Sequence, residues 1–460
     1  MTNSQTAARD DVAFLGHPKG LGYIAFTEAW ERFSYYGMQS LLVLYMAKQL
    51  LLPGHIEHIA LFGYFRTLYG AAAGPALASA IFGTYASLVY VTPILGGMIA
   101  DAFIGKRRAV LAGALLMALG HFLMAFEVSF LFALACLVLG SGLFKGNLAS
   151  QVGALYSDKD LRRADAFQVY YLAINAGVII SPLIVGTLGE KVGWHMGFGA
   201  AGVGMLVAII IYLSGARHLP RDTPLVGPLE TAAVRPKMTR DDWGSLAILI
   251  GLLPVMAVLM LTNQEIFNAY LLWGDRDFAL SFFGSKLPTT WLITFDATVS
   301  VSFLAGVALF YRWYATRWRE PDELGKIVIG SAFVVAGALC LFMAAAGKAP
   351  HAKIGLAWPI AFHVLNSIGF AHAMPVALAL FARIAPKAIQ ATVVSMYSLA
   401  FALANMLVGV IGGWFTTMPT TTFWLMHAGF AGGAGLVFLA LKFALRDRLQ
   451  AEPGVAEAVA

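Results

Sequence analysis

Three charged side chains lie close together in a stretch that is otherwise apolar enough for a membrane helix. Glu28, Glu31 and Arg32 are the only charged residues between positions 24 and 47. Spacings of three and four place such residues on neighbouring turns of one helix face. A charge inside a bilayer costs a few kcal/mol or more, so it persists where it faces a cavity and has a partner. The pattern predicts a pathway for protons and polar solutes rather than a membrane anchor.

A lysine lies in the middle of a second apolar run. Lys145 is flanked by apolar residues and by three glycines within residues 134–148. Burial favours the neutral amine unless a carboxylate pairs with the lysine. The alternative is a lysine that extends to the membrane surface from near a helix end, but the mid-helix position favours the interior. In a network of carboxylates and cations, protonating a carboxylate releases Lys145 or Arg32, which links proton binding to substrate binding or gating.

The composition is that of a membrane protein with many spans. Of 460 residues, 59% are hydrophobic and 12% are charged, and the mean hydropathy is +0.74. Soluble domains carry roughly 25% charged residues. The net charge of +6 comes from basic residues in short loops, so we expect no nucleic-acid partner. Metal-ligand spacings and a phosphate-binding Gly-x-x-x-x-Gly-Lys-Ser/Thr motif do not occur, so we predict no metal, no cofactor and no ATP-driven step.

Twelve stretches are long enough to cross the hydrocarbon core, which takes about 20 apolar residues in a helix. Basic residues concentrate in the loops on the side of the two termini, so both termini are predicted to face the cytoplasm. The predicted spans lie near residues 21–48, 77–101, 108–128, 130–155, 164–188, 194–214, 243–271, 288–313, 325–346, 354–384, 388–415 and 422–446.

A long polar stretch with four prolines divides the chain into two halves of six helices. We predict an N-terminal six-helix bundle over 1–214, a cytoplasmic linker over 215–242, a C-terminal six-helix bundle over 243–446 and a cytoplasmic tail over 447–460. This all-α layout is that of the major facilitator fold, in which two bundles rock about a midplane site. The segment from Gly97 to Arg108 resembles the loop motif of that superfamily, Gly-x-x-x-Asp-x-x-x-Gly-basic-basic.

Four segments also resemble one family within that superfamily. Glu28-x-x-Glu31-Arg32-Phe-Ser-Tyr35-Tyr36-Gly37 resembles the first-helix signature of the proton-coupled oligopeptide transporters. The second, fourth and fifth helices of the family are matched by residues 89–97, 140–156 and 165–182. The resemblance is dense over residues 21–190 and thin in the second half.

The resemblance implies roles for specific side chains. In that family, the first-helix carboxylates and arginine form a proton-responsive ion-pair network with a fourth-helix lysine; here these are Glu28, Glu31, Arg32 and Lys145. The arginine and lysine also hold the carboxylate of the peptide, which suits the bidentate geometry of a guanidinium. The polar residues implied to line the cavity are Tyr35, Tyr36, Tyr90, Asn147, Asn175 and Gln264.

The second half departs from the family pattern at the position that binds the amino terminus of the peptide. The tenth helix usually carries a Glu for that role, and Phe370 stands there. In the family, an Arg and a Glu pair to form an outer gate. Neither residue is present here, because Gln39 and Asn263 occupy the matching positions. On the eighth helix, Asp296 stands where an Asn is usual, so we predict that Asp296 replaces the missing Glu and joins the proton relay.

The sequence thus predicts a symporter in the inner cell membrane that imports di- and tripeptides with protons and works as a monomer. The alternative is a proton-coupled transporter of another carboxylate-bearing solute, such as a modified or N-blocked peptide, because the usual Glu is missing. A membrane-embedded enzyme or receptor is disfavoured, since no nucleophile–base set or metal cluster is found. The roles of Glu265 and His372 stay open at this stage.

Overall fold

A computed structural model describes residues 12–157, 160–222, 238–386 and 389–444. The predicted tail at 447–460 and the middle of the predicted linker, residues 223–237, lie outside the described residues.

The first half contains six long helices, which we number in chain order. They are α1 (Lys19–Tyr45), α2 (Gly74–Ile99), α3 (Lys106–Leu123), α4 (Phe130–Ala154), α5 (Arg162–Ser181) and α6 (Trp194–Ser214). Wider π-helical turns extend three of them: Met46–Leu50 after α1, Ala100–Ile104 after α2 and Pro182–Gly186 after α5. Short helical pieces complete this half at Ile56–His58, Phe62–Arg66, Thr67–Tyr69, Glu127–Ser129, Thr187–Lys191 and Ala216–His218.

Six further long helices follow in the second half. They are α7 (Arg240–Gln264), α8 (Trp291–Ala315), α9 (Glu323–Ala346), α10 (Ala357–Ile384), α11 (Ser398–Trp414) and α12 (Thr420–Ala444). Short helices lie at Glu265–Phe267, Ala269–Asp277 and Gln390–Met396. Between α7 and α8, β1 (Ser281–Phe282) pairs antiparallel with β2 (Ser285–Lys286).

All twelve predicted spans are helices, so the all-α prediction is confirmed apart from the small hairpin. Ten helices in the described part of the chain are long and apolar enough to cross a membrane. The two others are α1, which carries the three charged residues of the opening motif, and α3, which begins with Lys106, Arg107 and Arg108.

Two helix starts in the second half have side-chain caps that satisfy free backbone N–H groups. Thr239 Oγ1 accepts from the backbone N–H of Asp242 (3.2 Å), and Asp242 Oδ2 accepts from the backbone N–H of Thr239 (2.8 Å). This reciprocal capping box fixes the start of α7 just after the linker. At α9, Asp322 Oδ1 accepts from the backbone N–H of Gly325 at 2.9 Å.

The chain forms two compact units. The first comprises Met1–Thr231, Ile266–Thr298 and Val408–Thr416, and the second comprises Ala232–Glu265, Val299–Leu407 and Thr417–Ala460. In the first unit, α1 packs against α5 and α6, and α4 packs against α2 and α3. In the second unit, α9 packs against α10 and α12 around a core of small and branched apolar side chains. The domain boundaries predicted at 214 and 243 stay a prediction.

Close helix contact positions α1 in the first unit. A Cβ on Gly177 of α5 would lie 2.4 Å from the carbonyl oxygen of Ala29 and 2.9 Å from Cβ of Arg32. Only glycine leaves room for the α1 backbone at this crossing, as is common where membrane helices approach closely. The charged motif of α1 is therefore held against α5.

Candidate functional site

The charged motif of α1 is a compact, buried ion-pair cluster. Arg32 Nε lies 2.8 Å from Glu28 Oε1 and 2.7 Å from Glu31 Oε2. Glu28, Glu31 and Arg32 are 2%, 0% and 8% exposed. The helical spacing that predicted one shared face is thus realised, with a single guanidinium between two carboxylates.

The two carboxylates are not equivalent. Arg32 Nε donates a hydrogen bond to Glu28, and Tyr170 of α5 adds a side-chain hydrogen bond to the same carboxylate. Both oxygens of Glu31 lack a hydrogen-bond donor among the described residues, although Oε2 is close to the guanidinium. A fully buried carboxylate with no hydrogen bonds is expensive to keep ionised. Glu31 is therefore the carboxylate better placed to accept a proton.

Lys145 lies beside this cluster but interacts mainly with aromatic rings. Its Nζ is 3.9 Å from the centroid of the Tyr35 ring and 5.9 Å from that of Tyr90. No carboxylate of the described residues lies within 4 Å of Nζ, so the direct ion pair implied by the family resemblance is replaced by a cation–π contact. Such a contact contributes about 2 kcal/mol when it is desolvated. Lys145 thus lies beside the cluster without a direct ion pair to a described carboxylate.

Tyr35 links the lysine to the arginine. Its ring lies 5.7 Å from the guanidinium carbon of Arg32 and packs edge-on against Tyr36 at 5.1 Å. Tyr35 is 2% exposed, and its hydroxyl has no hydrogen-bond partner among the described residues. The sequence-predicted residues of α1 and α4 are therefore brought together around one aromatic ring.

The two asparagines predicted to line the cavity both donate hydrogen bonds from their side-chain amides to backbone carbonyls of helices. Asn147 Nδ2 donates to the carbonyls of Leu143 (2.9 Å) and Gly96 (3.3 Å), which ties α4 to α2. Asn175 Nδ2 donates to the carbonyl of Tyr171 at 2.7 Å, within α5. These contacts indicate a packing role for Asn147, which is 2% exposed, whereas Asn175 is only partly buried.

The predicted residues of the second half are divided between the two units. Asp296 is half-buried on α8 in the first unit. Gln264 and Phe370 belong to the second unit, where Asn405 lies 3.5 Å from Gln264 and Phe370 packs on the apolar core. His372 hydrogen-bonds the carbonyl of Ile368 at 2.8 Å and lines an aromatic cavity of about 510 Å³.

Sequence reasoning missed a polar cluster in the first unit. Asp275, in the short helix Ala269–Asp277, accepts from Lys48 in the π-helical turn after α1 and from Lys286 of β2, both at 2.8 Å. Nearby, Glu190 accepts from the backbone N–H groups of Thr289 (2.9 Å) and Thr290 (2.8 Å), just before α8.

The charges of this cluster hold Asp275 in its ionised form. Burial raises the pKa of Asp275, but the hydrogen bonds and charges of Lys286 and Lys48 outweigh it and leave the pKa below its ordinary value. The signal in the sequence was weak, because a lone Asp after a helix and two lysines far apart are typical of ordinary loops.

Sequence reasoning also missed the partner of Glu265. His427 of α12 faces it in the second unit, with Nε2 at 3.9 Å from Glu265 Oε1, and both residues are fully buried. His427 gave no signal in the sequence, since it is one histidine in an apolar helix.

A bundle of long apolar helices that buries a carboxylate–arginine–lysine cluster defines a multi-pass membrane transporter. The "POT family" model matches residues 107–236. An "Uncharacterized transporter YclF" of Bacillus subtilis (strain 168) is 28% identical, with 93% of each chain covered. A "Di-/tripeptide transporter" of Lactococcus lactis subsp. lactis (strain IL1403) is 28% identical over 86% of this chain and 89% of that protein.

The fold comparison agrees with the sequence comparison. The crystal structure of a peptide transporter POT in complex with sulfate has a TM-score of 0.82 and 25% identity, and the match covers 98% of this chain and 99% of that one. These matches confirm the predicted resemblance to the POT family and the predicted fold class.

Proposed function

We propose that this chain is a proton-coupled symporter that imports di- and tripeptides by alternating access. The observation that carries the proposal is the buried cluster of Glu28, Glu31 and Arg32 with Lys145 beside it. Relatives described as peptide transporters support the substrate class and give no support to the alternative of an N-blocked solute. No enzymatic activity is part of the proposal.

Glu31 is the proton acceptor in this proposal. Its carboxylate lies 2.7 Å from Arg32 Nε and has no hydrogen-bond donor in the described residues. A proton on Glu31 removes one of the two negative charges that face Arg32. The guanidinium then has only Glu28 as an ionic partner and is free to bind another carboxylate.

Arg32 and Lys145 hold the substrate carboxylate in this proposal. Lys145 forms no ion pair with a described carboxylate, and its ammonium is held over the Tyr35 ring. An ammonium in that position attracts an anion, because the ring face stabilises the charge without cancelling it. Protonation of Glu31 and arrival of the peptide carboxylate therefore favour each other, which is the coupling that symport requires. Tyr36 and Tyr90 contribute ring surface to the same pocket.

The amino terminus of the peptide needs a carboxylate, and Phe370 supplies none. An unpaired ammonium in an apolar pocket binds poorly. We assign this role to Asp296, with Asn175 assisting and Gln264 as a further polar contact. Asp296 is also assigned to the proton relay in this proposal.

The cluster around Asp275 serves as an outer latch in place of the Arg–Glu pair that the family uses. The ion pairs of Asp275 with Lys48 and Lys286, and the hydrogen bonds of Glu190, connect segments from the two halves of the sequence inside the first unit. These contacts have to break for the outer entrance to open. In this arrangement both termini face the cytoplasm, and the transporter works as a monomer in the inner cell membrane.

A competition panel tests the proposal. The purified protein is reconstituted in liposomes, and uptake of one labelled dipeptide is driven by an inward proton gradient. Unlabelled free, N-acetylated and C-amidated forms of the same dipeptide then compete. We expect strong competition by the free form, and weak competition by the amide, since loss of a buried charge pair costs about 2–5 kcal/mol. Equal competition by the free and amidated forms would contradict the role of Arg32 and Lys145.

The N-acetylated competitor distinguishes a transporter of free peptides from a transporter of N-blocked solutes. A transporter of free peptides discriminates against the acetylated form, which has no ammonium group. Stronger competition by the acetylated form than by the free form would instead identify an N-blocked solute as the substrate class.

A further inference from the structure

The aromatic cavity of the second unit has no role in the proposed function. Its volume is about 510 Å³, and it lies between the second half of α8, the first half of α9 and the middle of α10. Ligand pockets in proteins have volumes of about 300–1,000 Å³, so the cavity is large enough for a ligand. Its wall includes the rings of Phe303, Phe310, Tyr311 and Tyr314 of α8 and of Phe333 of α9.

The wall of the cavity is mainly apolar, and the cavity opens to the surface of the second unit. His372, a buried polar residue of the wall, contacts the rings of Tyr311 and Phe333. Phe310 and Ile329 also line the cavity and are 45% and 36% exposed. Exposed apolar side chains on membrane-spanning helices contact lipid chains in preference to water. The opening therefore favours an apolar chain as the occupant of the cavity.

Aromatic side chains indicate that the end of α8 lies at the membrane–water interface. The Trp318 ring lies 5.6 Å from that of Trp313 and 5.1 Å from that of Tyr314. Tryptophan and tyrosine are enriched at the level of lipid headgroups, because their rings have an apolar and a polar end. Phe303 precedes Tyr314 by eleven residues, or about 16 Å along the helix. The cavity thus extends from the headgroup level toward the lipid chains.

Three arginines at the same end of α8 provide positive charge. Arg312, Arg317 and Arg319 are exposed, and no carboxylate of the described residues lies within 4 Å of their side-chain nitrogens. The guanidinium carbon of Arg317 lies 4.7 Å from the centroid of the Trp313 ring, so the charges and the aromatic rings share one surface. The acidic residues that follow have other cations as partners, in the pairs Glu320–Lys326, Asp322–Lys442 and Glu323–Arg383.

The combination of an apolar cavity and nearby arginines selects a class of ligand. A guanidinium binds phosphate through two parallel hydrogen bonds. A phospholipid carries both a phosphate and an apolar chain, and the phosphate lies at the level of the interfacial rings. A zwitterionic headgroup adds a positive group that the arginines repel, whereas a headgroup with a net negative charge complements them. Basic clusters at the membrane surface attract anionic lipids in this way.

We propose that the cavity and the three arginines form a binding site for an anionic phospholipid. One acyl chain occupies the aromatic cavity, and the phosphate contacts Arg312, Arg317 and Arg319. Binding of the lipid is independent of the proposed transport activity, because none of these residues belongs to the proposed peptide site.

Native mass spectrometry of the full-length protein tests the site with three probes. Protein in detergent is titrated with a phosphatidylglycerol, with a phosphatidylcholine of the same acyl chains, and with glycerol 3-phosphate. We expect phosphatidylglycerol to bind roughly tenfold or more tightly than phosphatidylcholine, and glycerol 3-phosphate, which has no chain, not to bind. Equal affinities for the two lipids would overturn the proposal, as would glycerol 3-phosphate binding as tightly as the lipid. Dimers that carry no lipid would assign the surface to a second copy of the chain and would also overturn it.

Arginine variants test the contact with the phosphate. Replacing Arg312, Arg317 and Arg319 together by Gln should weaken phosphatidylglycerol binding by about fivefold for each arginine. Binding of phosphatidylcholine should change little. The control is a second triple Gln variant that lowers the net charge equally at exposed arginines elsewhere, namely Arg66, Arg221 and Arg240. An equal loss in both triple variants would show a general attraction to the charge of the protein and would overturn the site.

A glycine variant tests the place of the acyl chain. Gly306 lines the cavity, and a Cβ added there meets no described atom within 4 Å beyond its chain neighbours and its own helix backbone. Gly306→Leu should therefore fold and fill the cavity, which we expect to lower the affinity for phosphatidylglycerol by about fivefold or more. Gly429→Leu on α12 is the matched control, because its Cβ is equally unobstructed and Gly429 does not line the cavity. Unchanged affinity in Gly306→Leu would overturn the assignment of the cavity to the chain.

Photolabelling of the unmodified protein gives a readout that does not depend on the folding of a variant. A phosphatidylglycerol with a photoreactive group on one acyl chain is mixed with the full-length protein in detergent, and the labelled peptides are identified after digestion. We expect labels within residues 303–314 and 329–333 that unlabelled phosphatidylglycerol competes away. Labels spread evenly over the exposed helix faces, or labels that resist competition, would overturn the proposal.

Discussion

The ammonium of Lys145 lies over the face of the Tyr35 ring, with Nζ 3.9 Å from the ring centroid. The described residues place no carboxylate within 4 Å of this Nζ, so the Tyr35 ring is its main neighbour. Lys145 therefore lies next to the Glu28–Arg32–Glu31 cluster, where we propose that it binds the carboxylate of the substrate.

The Tyr35 ring, rather than its hydroxyl, is predicted to hold Lys145. Tyr35→Phe keeps the aromatic face and is expected to bind dipeptides with close to normal affinity. Tyr35→Leu removes the face, and we expect a loss of about 1–2 kcal/mol in binding, or roughly 5–30-fold. Dipeptide affinity, measured by competition in liposomes, distinguishes the two variants. An equal loss in both variants would instead identify the hydroxyl as the important group.

Gly177 is predicted to position the cluster through close contact of α5 with α1. A Cβ there would lie 2.4 Å from the carbonyl oxygen of Ala29. Gly177→Ala should therefore lower the free energy of unfolding by about 1–3 kcal/mol and reduce transport. Gly199→Ala on α6 is the matched control, because no described residue beyond its chain neighbours and its own helix backbone has an atom within 4 Å of the added Cβ. Thermal unfolding in detergent measures the stability of both variants. Equal unfolding midpoints for Gly177→Ala and Gly199→Ala would show that α5 can shift away from α1 to accommodate the added methyl group.

Asp296 is predicted to receive the amino terminus of the peptide. Asp296→Asn should lose the preference for free over N-acetylated dipeptides, since a neutral amide cannot form an ion pair with an ammonium. Competition assays with both dipeptide forms check this. An Asp296→Asn variant that binds free dipeptides with unchanged affinity would show that Asp296 does not contact the ammonium.

The outer latch is predicted to depend on pH. The pKa of Asp275 is lowered in the folded protein. The ion pairs therefore add stability that is complete above the unfolded-state pKa of about 4 and is lost as the pH falls through the folded-state pKa. Asp275→Asn should lower stability at neutral pH by about 1 kcal/mol, because the side chains of Lys48 and Lys286 are 41% and 48% exposed.

Thermal unfolding of the unmodified protein and of Asp275→Asn across pH checks this prediction. The difference between the two should shrink in acid and in high salt. A difference that stays constant in acid would mean that the carboxylate charge does not stabilise the latch.

The sequence alone predicts the helices and the α1 cluster well, for a physical reason. Long apolar runs leave few alternatives to a membrane helix. The spacing of Glu28, Glu31 and Arg32 is local, so helix geometry alone brings these side chains together. The comparisons confirm the predicted resemblance to the POT family and the predicted fold class.

Contacts between distant segments were harder to predict. The position of Lys145 over Tyr35 depends on how α4 and α1 are rotated about their axes. The pairing of Glu265 with His427 and of Asp275 with Lys48 joins helices that are far apart in the sequence. Single polar residues in apolar helices carry no periodic signal, so only the packed structure brings them together.

The central claim is that a proton on Glu31 drives peptide uptake, and Glu31→Gln tests it most directly. The variant carries a permanently uncharged side chain of the same size. We predict that it loses uptake driven by an inward proton gradient but retains exchange of labelled for unlabelled dipeptide across the membrane. Glu320→Gln, which removes a partly exposed carboxylate paired with Lys326, is the control and should retain both activities. Undiminished gradient-driven uptake by Glu31→Gln would contradict the account.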